Sequence, residues 1–153
     1  MIVAEEALGS LAESGDVTAQ CLYAFYWKPD DNPKRWHQYV TNSANAEVAK
    51  CMFLRVRYVE KDKSKEQLDW TFKAAAKGDS SGQSLMAFAY YQGNVVPKNM
   101  DRSICWAIEL KKSGSHFDEG IYQTLMFSYM QDKQDLKAEP PSAQFCKSVI
   151  KSK

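Results

Sequence analysis

Residues 85–114 read LMAFAYYQGNVVPKNMDRSICWAIELKKSG, and this stretch decides the fold. Two runs with apolar residues at helical spacing flank a turn that contains Gly93, Asn94 and Pro97. Proline cannot continue a helical hydrogen-bond ladder, and Gly114 suits the left-handed position just past a helix end. The stretch therefore predicts a helical hairpin.

A similar pattern recurs along the chain. Trp36, Trp70 and Trp106 are 34 and 36 residues apart, which is the period of helical repeats. Each is followed eight residues later by a small residue, at Ala44, Gly78 and Gly114. The pattern predicts one all-α domain over 1–153, a solenoid of about four hairpins over 15–44, 45–77, 78–113 and 114–153. Phe145 takes the tryptophan position in the last hairpin, and Ala4–Ser14 is a half-unit or an N-terminal capping helix.

The hairpin of residues 85–114 resembles the Sel1-like repeat, a relative of the tetratricopeptide repeat. That family has a small residue and a tyrosine on the first helix, then G-x-x-V-P-x-D, then a tryptophan-centred helix that ends on glycine. The matching residues are Ala87, Tyr90, Gly93, Val96, Pro97, Trp106 and Gly114. Asn99 stands where the family usually has aspartate, and Ser103 and Leu110 replace family alanines. The resemblance implies a right-handed α-solenoid whose first helices line a concave groove.

Composition excludes several classes of protein. With 44% hydrophobic residues, 25% charged residues and a net charge of +1, the chain is typical of a soluble globular protein. The near-neutral charge predicts no nucleic-acid binding, and no apolar run is long enough to predict membrane insertion. Glu5 and Glu6 stand where a secretory signal would carry basic residues. We therefore expect a cytoplasmic protein, or a periplasmic one if a leader was removed.

The cysteines and histidines predict neither disulfides nor a metal site. Cys21, Cys51, Cys105 and Cys146 lie 30, 54 and 41 residues apart inside apolar helical runs, which is not the spacing of a disulfide framework. We expect reduced thiols that pack as small buried hydrophobes. Zinc needs close Cys or His pairs, and the two histidines are not paired with any cysteine. No metal or cofactor is expected.

No catalytic motif is present in the sequence. It contains no nucleophile elbow, Walker loop or dinucleotide fingerprint, and His37 and His116 are expected to be ordinary surface residues. The basic clusters at 61–65 and 111–112 are mixed with acids and predict solvated faces. We expect a protein that is not an enzyme. The alternative is an unrecognised enzyme with a site at the Tyr- and Lys-rich helix ends.

The first helices supply the candidate binding residues. Positions facing the groove combine aromatic, arginine and amphipathic side chains, which are types enriched at interface hot spots. A row of Phe25, Arg55, Phe88 and Phe127 is joined by Lys28, Tyr58, Tyr91 and Gln123. The alternative for the phenylalanines is a second core layer, because periodicity does not separate a buried stripe from an exposed one.

The function expected from these features is non-catalytic binding of a partner protein or peptide in the concave groove. The most specific form is a small bacterial inhibitor of the immunity type, which blocks a toxin or effector. A general adaptor or regulatory scaffold, the role that the Sel1-like resemblance implies, is the alternative. The protein is expected to be a monomer or a weak homodimer.

Overall fold

Helices make up the regular structure of this protein. A computed structural model describes residues 2–27, 32–58 and 64–152, and in them we find helices joined by turns and no strand. The helices are α1 (Ile2–Glu13), α2 (Val17–Tyr26), α3 (Pro33–Asn45), α4 (Ala49–Tyr58), α5 (Ser64–Ala76), α6 (Ser80–Gln92), α7 (Met100–Lys111), α8 (His116–Asp132) and α9 (Ala143–Lys151). The predicted all-α class is confirmed.

The helix starts show that the hairpins α2–α3 and α6–α7 are built alike. Asp16 and Asp79 accept hydrogen bonds from the backbone N–H three residues later, at 2.7 and 2.8 Å, and begin α2 and α6. Asn32 and Asn99 do the same for α3 and α7, each at 3.0 Å. Each side chain satisfies a backbone donor that a helix leaves without a partner.

The helix ends correct the register that the tryptophans predict. Gly78 (φ 96°) and Gly114 (φ 74°) follow α5 and α7 in the left-handed conformation. Glu47, with φ 62°, takes that position after α3, so α3 extends past Ala44. Counting back eight residues gives the aromatic positions as Tyr39, Trp70 and Trp106. Tyr39, and not Trp36, is therefore the counterpart of Trp106.

Trp36 has a different counterpart, and both residues bind the preceding helix. The indole Nε1–H of Trp36 donates to the carbonyl of Ala24 at 2.8 Å. Ser103 lies four residues past the cap Asn99, as Trp36 lies four past Asn32. Its hydroxyl donates to the carbonyl of Ala87, also at 2.8 Å. Both donors are buried, so each satisfies its hydrogen bond inside the protein. Two different side chains thus fasten the second helix of a hairpin to the first.

The chain divides into two compact units, Met1–Lys77 and Gly78–Lys153. In the first unit, Trp36, Tyr39 and Val40 of α3 pack with buried residues of α1, α2 and α4. A smaller cluster joins Ala44, Met52 and Ala74, with Trp70 half-buried against it. The single domain and the four repeat boundaries that the sequence predicts remain predictions.

The second unit contains the hairpin from which the fold was predicted. Trp106 is 0% exposed, and Met86, Ile104, Leu110 and Leu125 are fully buried. Gly93 ends α6 at φ 73°, and a Cβ there would lie 2.9 Å from the Cβ of Lys98. Only glycine fits this turn without a shift of its neighbours.

Phe145 is 40% exposed. Ser142 caps α9, and Val149 lies seven residues past this cap, as Trp106 lies seven past Asn99. Val149 is 2% exposed. The position predicted for Phe145 in the last hairpin therefore belongs to Val149, because the helix begins at a later residue than the spacing implies.

Two disulfides overturn the expectation of free thiols. Cys21 of α2 bonds to Cys51 of α4, with Cα atoms 5.6 Å apart. Cys105 of α7 bonds to Cys146 of α9, with Cα atoms 5.0 Å apart. Each pair is buried, and each unit holds one bond. The expectation failed because residues 30 and 41 positions apart on neighbouring hairpins come into bonding distance only when the helices pack.

Candidate protein-binding surface

The predicted binding residues of the first unit have separate partners. The ring of Phe25 is 47% exposed, and the ammonium of Lys50 lies 5.3 Å from its centroid. The guanidinium of Arg55 lies 4.5 Å from the ring centroid of Trp70 and donates to the side chain of Asn45. The ring of Tyr58 is 42% exposed and packs edge-on against Trp36. Lys28 lies outside the described residues.

The residues that begin α2, α4 and α6 show that Arg55 was assigned to the wrong position of the repeat. The first helical hydrogen bond of α4 runs from Met52 N–H to the carbonyl of Val48, so Val48 occupies the place that Asp16 and Asp79 hold in α2 and α6. Phe25 and Phe88 are nine residues past those caps, and nine residues past Val48 is Arg57. Arg57, which is exposed, therefore belongs to the row of the two phenylalanines in place of Arg55.

The predicted residues of the second unit differ in exposure. Phe88 and Tyr91 on α6 are half-buried, whereas Phe127 on α8 is 57% exposed. Gln123 is exposed, and its amide donates to Glu119 at 2.8 Å. The alternative that the phenylalanines form a buried second core layer is therefore wrong for Phe25 and Phe127, because their rings are open to solvent. Whether the residues of both units share one groove stays a prediction.

Aromatic residues crowd the end of α2. Tyr23 stacks on Trp27 with ring centroids 4.8 Å apart, and Trp27 packs against Tyr26 at 6.0 Å. Tyr26 in turn meets Phe25 edge-on at 5.3 Å. Tyr26 is 67% exposed and Leu22 is 42% exposed. We call Leu22, Tyr23, Phe25, Tyr26 and Trp27 the α2 aromatic surface.

An open cleft of about 480 Å³ adjoins this surface. Its lining consists of five residues of α1 and one of α2: Glu5, Glu6, Gly9, Ser10, Glu13 and Tyr23. Three of the six are carboxylates, and Glu13 is 3.5 Å from Arg35. The ring of Tyr23 belongs to both the cleft and the α2 aromatic surface, so the two are continuous.

A smaller cleft, of about 300 Å³, lies in the second unit and is lined largely by residues of the Gly-Pro turn: Tyr90, Val96, Pro97, Lys98, Asn99 and Arg102. The guanidinium of Arg102 donates to the hydroxyl of Tyr90 at 3.2 Å, and Lys98 pairs with Asp132 at 3.6 Å. Here the motif residues hold the turn and the helix together, which is a structural role.

Two tyrosine hydroxyls have raised pKa values. Burial, helped by a hydrogen bond to Asp101, raises the pKa of Tyr129 to about 12. Burial also raises the pKa of Tyr39, against the opposing charge of Arg35. Both shifts keep the phenol neutral, as expected for core tyrosines. Across residues 2–27, 32–58 and 64–152, no three His, Cys, Asp or Glu side chains are grouped to hold a metal.

The sequence contained an unused signal for the α2 aromatic surface. Phe25, Tyr26 and Trp27 are consecutive, and consecutive helical residues point in different directions, so one apolar face cannot bury all three. In the sequence, Glu5 and Glu6 argue against a secretory leader and are typical of a solvated helix start, so they predict no binding site. Their position beside Tyr23 depends on how α1 packs on α2, which the sequence pattern does not give.

Capped helical hairpins with a recurring left-handed end define a helical-repeat fold. A protective antigen present in uropathogenic Escherichia coli strains, whose crystal structure is described as displaying an SLR (Sel1-like repeat) fold, is similar to this chain. The TM-score is 0.56 at 19% sequence identity, with 91% of this chain and 37% of that chain covered. This chain thus spans about 37% of that protein's length.

The similarity confirms the Sel1-like resemblance at the level of the fold, and with it the helical-repeat solenoid class. No family model matches the sequence, and no curated protein matches it. In the described part of the chain, no helix combines the length and the apolar character needed to cross a membrane.

Proposed function

We propose that this protein is a non-catalytic interaction module that binds a partner protein through the α2 aromatic surface. The supporting observation is that Phe25 and Tyr26 touch each other while they remain 47% and 67% exposed. Contiguous exposed aromatic side chains are costly in water and are enriched at the centres of protein interfaces. The surface sits on the first helix of a hairpin, where the Sel1-like resemblance places the binding groove.

The other predicted groove residues remain part of the proposal. In the first unit these are Tyr58 and Arg57, which takes the place predicted for Arg55; in the second unit they are Phe88, Tyr91, Gln123 and Phe127. The ring of Phe127 is 57% exposed, so we propose it as the centre of a second contact with the partner.

Substitution on α2 tests the proposal. The double variant Phe25→Ser with Tyr26→Ser should lose capture of partner proteins from a native lysate and keep the wild-type melting temperature, because both rings are exposed. Phe117→Ser is the matched control, since this ring is 76% exposed and lies elsewhere on the chain. Undiminished capture by the α2 double variant would contradict the proposal.

The most specific form of this function is an immunity-type inhibitor that blocks a bacterial toxin or effector, with a general adaptor as the alternative. Growth of cells that express the captured partner separates the two. An inhibitor should rescue cells from that partner, and the α2 double variant should not. A partner that is harmless when expressed alone would leave the adaptor as the better proposal.

We also propose that the protein works in an oxidising compartment. The two buried disulfides support this, because reducing compartments keep thiols free. The acids near the start of the sequence and the cysteine spacing predict a cytoplasmic protein, or a periplasmic one if a leader was removed. Thiol labelling of protein from its native cells, after denaturation without reductant, should modify no cysteine. Labelling of all four would contradict this localisation.

A further inference from the structure

Charge is distributed unevenly along this chain. All 20 lysines and arginines lie beyond residue 27, whereas residues 1–27 carry four acids, Glu5, Glu6, Glu13 and Asp16. The first 27 residues therefore carry a side-chain charge of −4 in a chain of net charge +1. The α2 aromatic surface belongs to this acidic segment, so the carboxylates of its own part of the chain favour a cationic ligand.

Two of these acids line the cleft and have no salt bridge among the described residues. In the part of the chain that the structure describes, neither Glu5 nor Glu6 forms a salt bridge, whereas Glu13 is 3.5 Å from Arg35. Glu5 and Glu6 line the same cleft as Tyr23. Two cations contact this region and are engaged there: the guanidinium of Arg35 lies 3.5 Å from Glu13, and the ammonium of Lys50 lies 5.3 Å from the ring centroid of Phe25.

We propose that the cleft and the α2 aromatic surface together bind a cationic segment of the partner protein, one that presents arginine or lysine beside apolar residues. The proposal rests on the proposed function and names the chemistry of its partner. A cationic side chain in the cleft meets the carboxylates of Glu5 and Glu6 and the stacked rings of Tyr23 and Trp27, which attract cations through their faces. Apolar neighbours of that side chain cover Phe25 and Tyr26.

Charge complementarity selects this occupant over others. Nucleic acids and anionic membranes carry phosphate, which a segment of charge −4 repels. An acidic partner is repelled in the same way. The partner's charge therefore steers the encounter, and its apolar residues supply contact area.

Two synthetic peptides test the inference. One alternates arginine with leucine, and the other has glutamate in place of each arginine. Fluorescence anisotropy at low salt should show binding of the arginine peptide alone. The variant Glu5→Gln with Glu6→Gln should weaken it by about fivefold or more, since each exposed charge contributes a small factor. Added salt should weaken binding to the wild type more than to this variant.

The control variant is Asp135→Asn with Glu139→Gln. It removes two exposed carboxylates outside the acidic segment, and asparagine retains the oxygen that accepts from Lys137 N–H. This control should bind the arginine peptide as the wild type does. Equal weakening by both double variants would show a nonspecific effect of net charge and would overturn the inference.

Other outcomes separate this inference from the proposed function. If Phe25→Ser with Tyr26→Ser abolishes partner capture while the glutamate variant changes nothing, the interaction module stands and the cationic partner is wrong. If neither variant affects capture and the peptides bind equally, both fail. Binding to phosphatidylserine vesicles, or a dimer that the glutamate variant dissolves, would replace the cationic partner with a membrane or a second copy of this chain.

Discussion

Trp106 and Phe127 show how exposure decides what an aromatic residue contributes. Trp106 is 0% exposed and Phe127 is 57% exposed. Truncation of a buried tryptophan to alanine typically costs about 3–5 kcal/mol, against a total stability of about 5–15 kcal/mol. We expect Trp106→Ala to lower the free energy of unfolding by this amount in urea denaturation. Phe127→Ala should change it by less than about 1 kcal/mol. Similar losses in both variants would contradict the assigned core.

Tyr129 predicts a dependence of stability on alkaline pH. Burial and the hydrogen bond to Asp101 raise its pKa from 10.0 to about 12. The folded state therefore keeps its proton at a pH where the unfolded state has lost it. This contribution to the free energy of unfolding is complete below pH 10.0 and is lost as pH rises toward about 12.

Urea denaturation across that pH window checks the Tyr129 prediction. The wild type should lose stability as pH rises, and Tyr129→Phe should lose less, because its ring has no proton to release. Tyr26→Phe, at a position 67% exposed, is the control and should keep the wild-type slope. A Tyr129→Phe slope as steep as that of the wild type would assign the pH dependence to other groups.

Two of the helix ends, Gly93 and Gly114, allow the cost of backbone strain to be compared with the cost of steric crowding. Their φ angles are 73° and 74°, but a Cβ at Gly114 meets nothing within 4 Å, whereas one at Gly93 would lie 3.0 Å from the backbone N of Lys98. Left-handed alanine costs about 1–2 kcal/mol, and overpacking adds about 1–3 kcal/mol. We expect Gly93→Ala to destabilise clearly more than Gly114→Ala in thermal denaturation. Equal losses would mean that the turn yields to the added methyl.

The same helix ends explain which elements the sequence could predict. In residues 85–114 the turn glycine, the proline and the terminal glycine are visible in the sequence. They mark where α6 and α7 begin and end, so both helices could be predicted. The second helix of the first hairpin was misplaced by three residues, because the left-handed residue that follows α3 is Glu47 and not glycine. A charged residue in that conformation leaves no mark in the sequence, so Trp36 took the place that belongs to Tyr39.

On α2, the sequence identified Phe25 but not Tyr26 or the acidic cleft. Helical periodicity gives the direction in which a side chain points. Its exposure depends on which neighbouring helix covers it, and the carboxylates that line the cleft come from α1. The candidate site was therefore predictable only within one helix. The contribution of a second helix required the packed structure.

For the whole molecule, the main difference from the sequence-based expectation is covalent. Cys21 and Cys51 are on the first helices of successive hairpins, and Cys105 and Cys146 are on second helices. Sequence spacing alone could not pair them, because helical repeats bring distant positions together at a period that the cysteines do not follow. The bonds hold neighbouring hairpins together, and this adds to the stability that packing supplies.

The two disulfides should protect different parts of the chain. They close loops of 30 and 41 residues, for which loop-closure entropy gives about 4 kcal/mol each. Because hairpins in repeat proteins open locally, we expect Cys21→Ala with Cys51→Ala to speed amide hydrogen exchange mainly in α2–α4. Cys105→Ala with Cys146→Ala should do so mainly in α7–α9. Each variant is the control for the other, measured by mass spectrometry of proteolytic peptides. Uniform acceleration along the chain in both variants would show that Met1–Lys77 and Gly78–Lys153 unfold as one cooperative body.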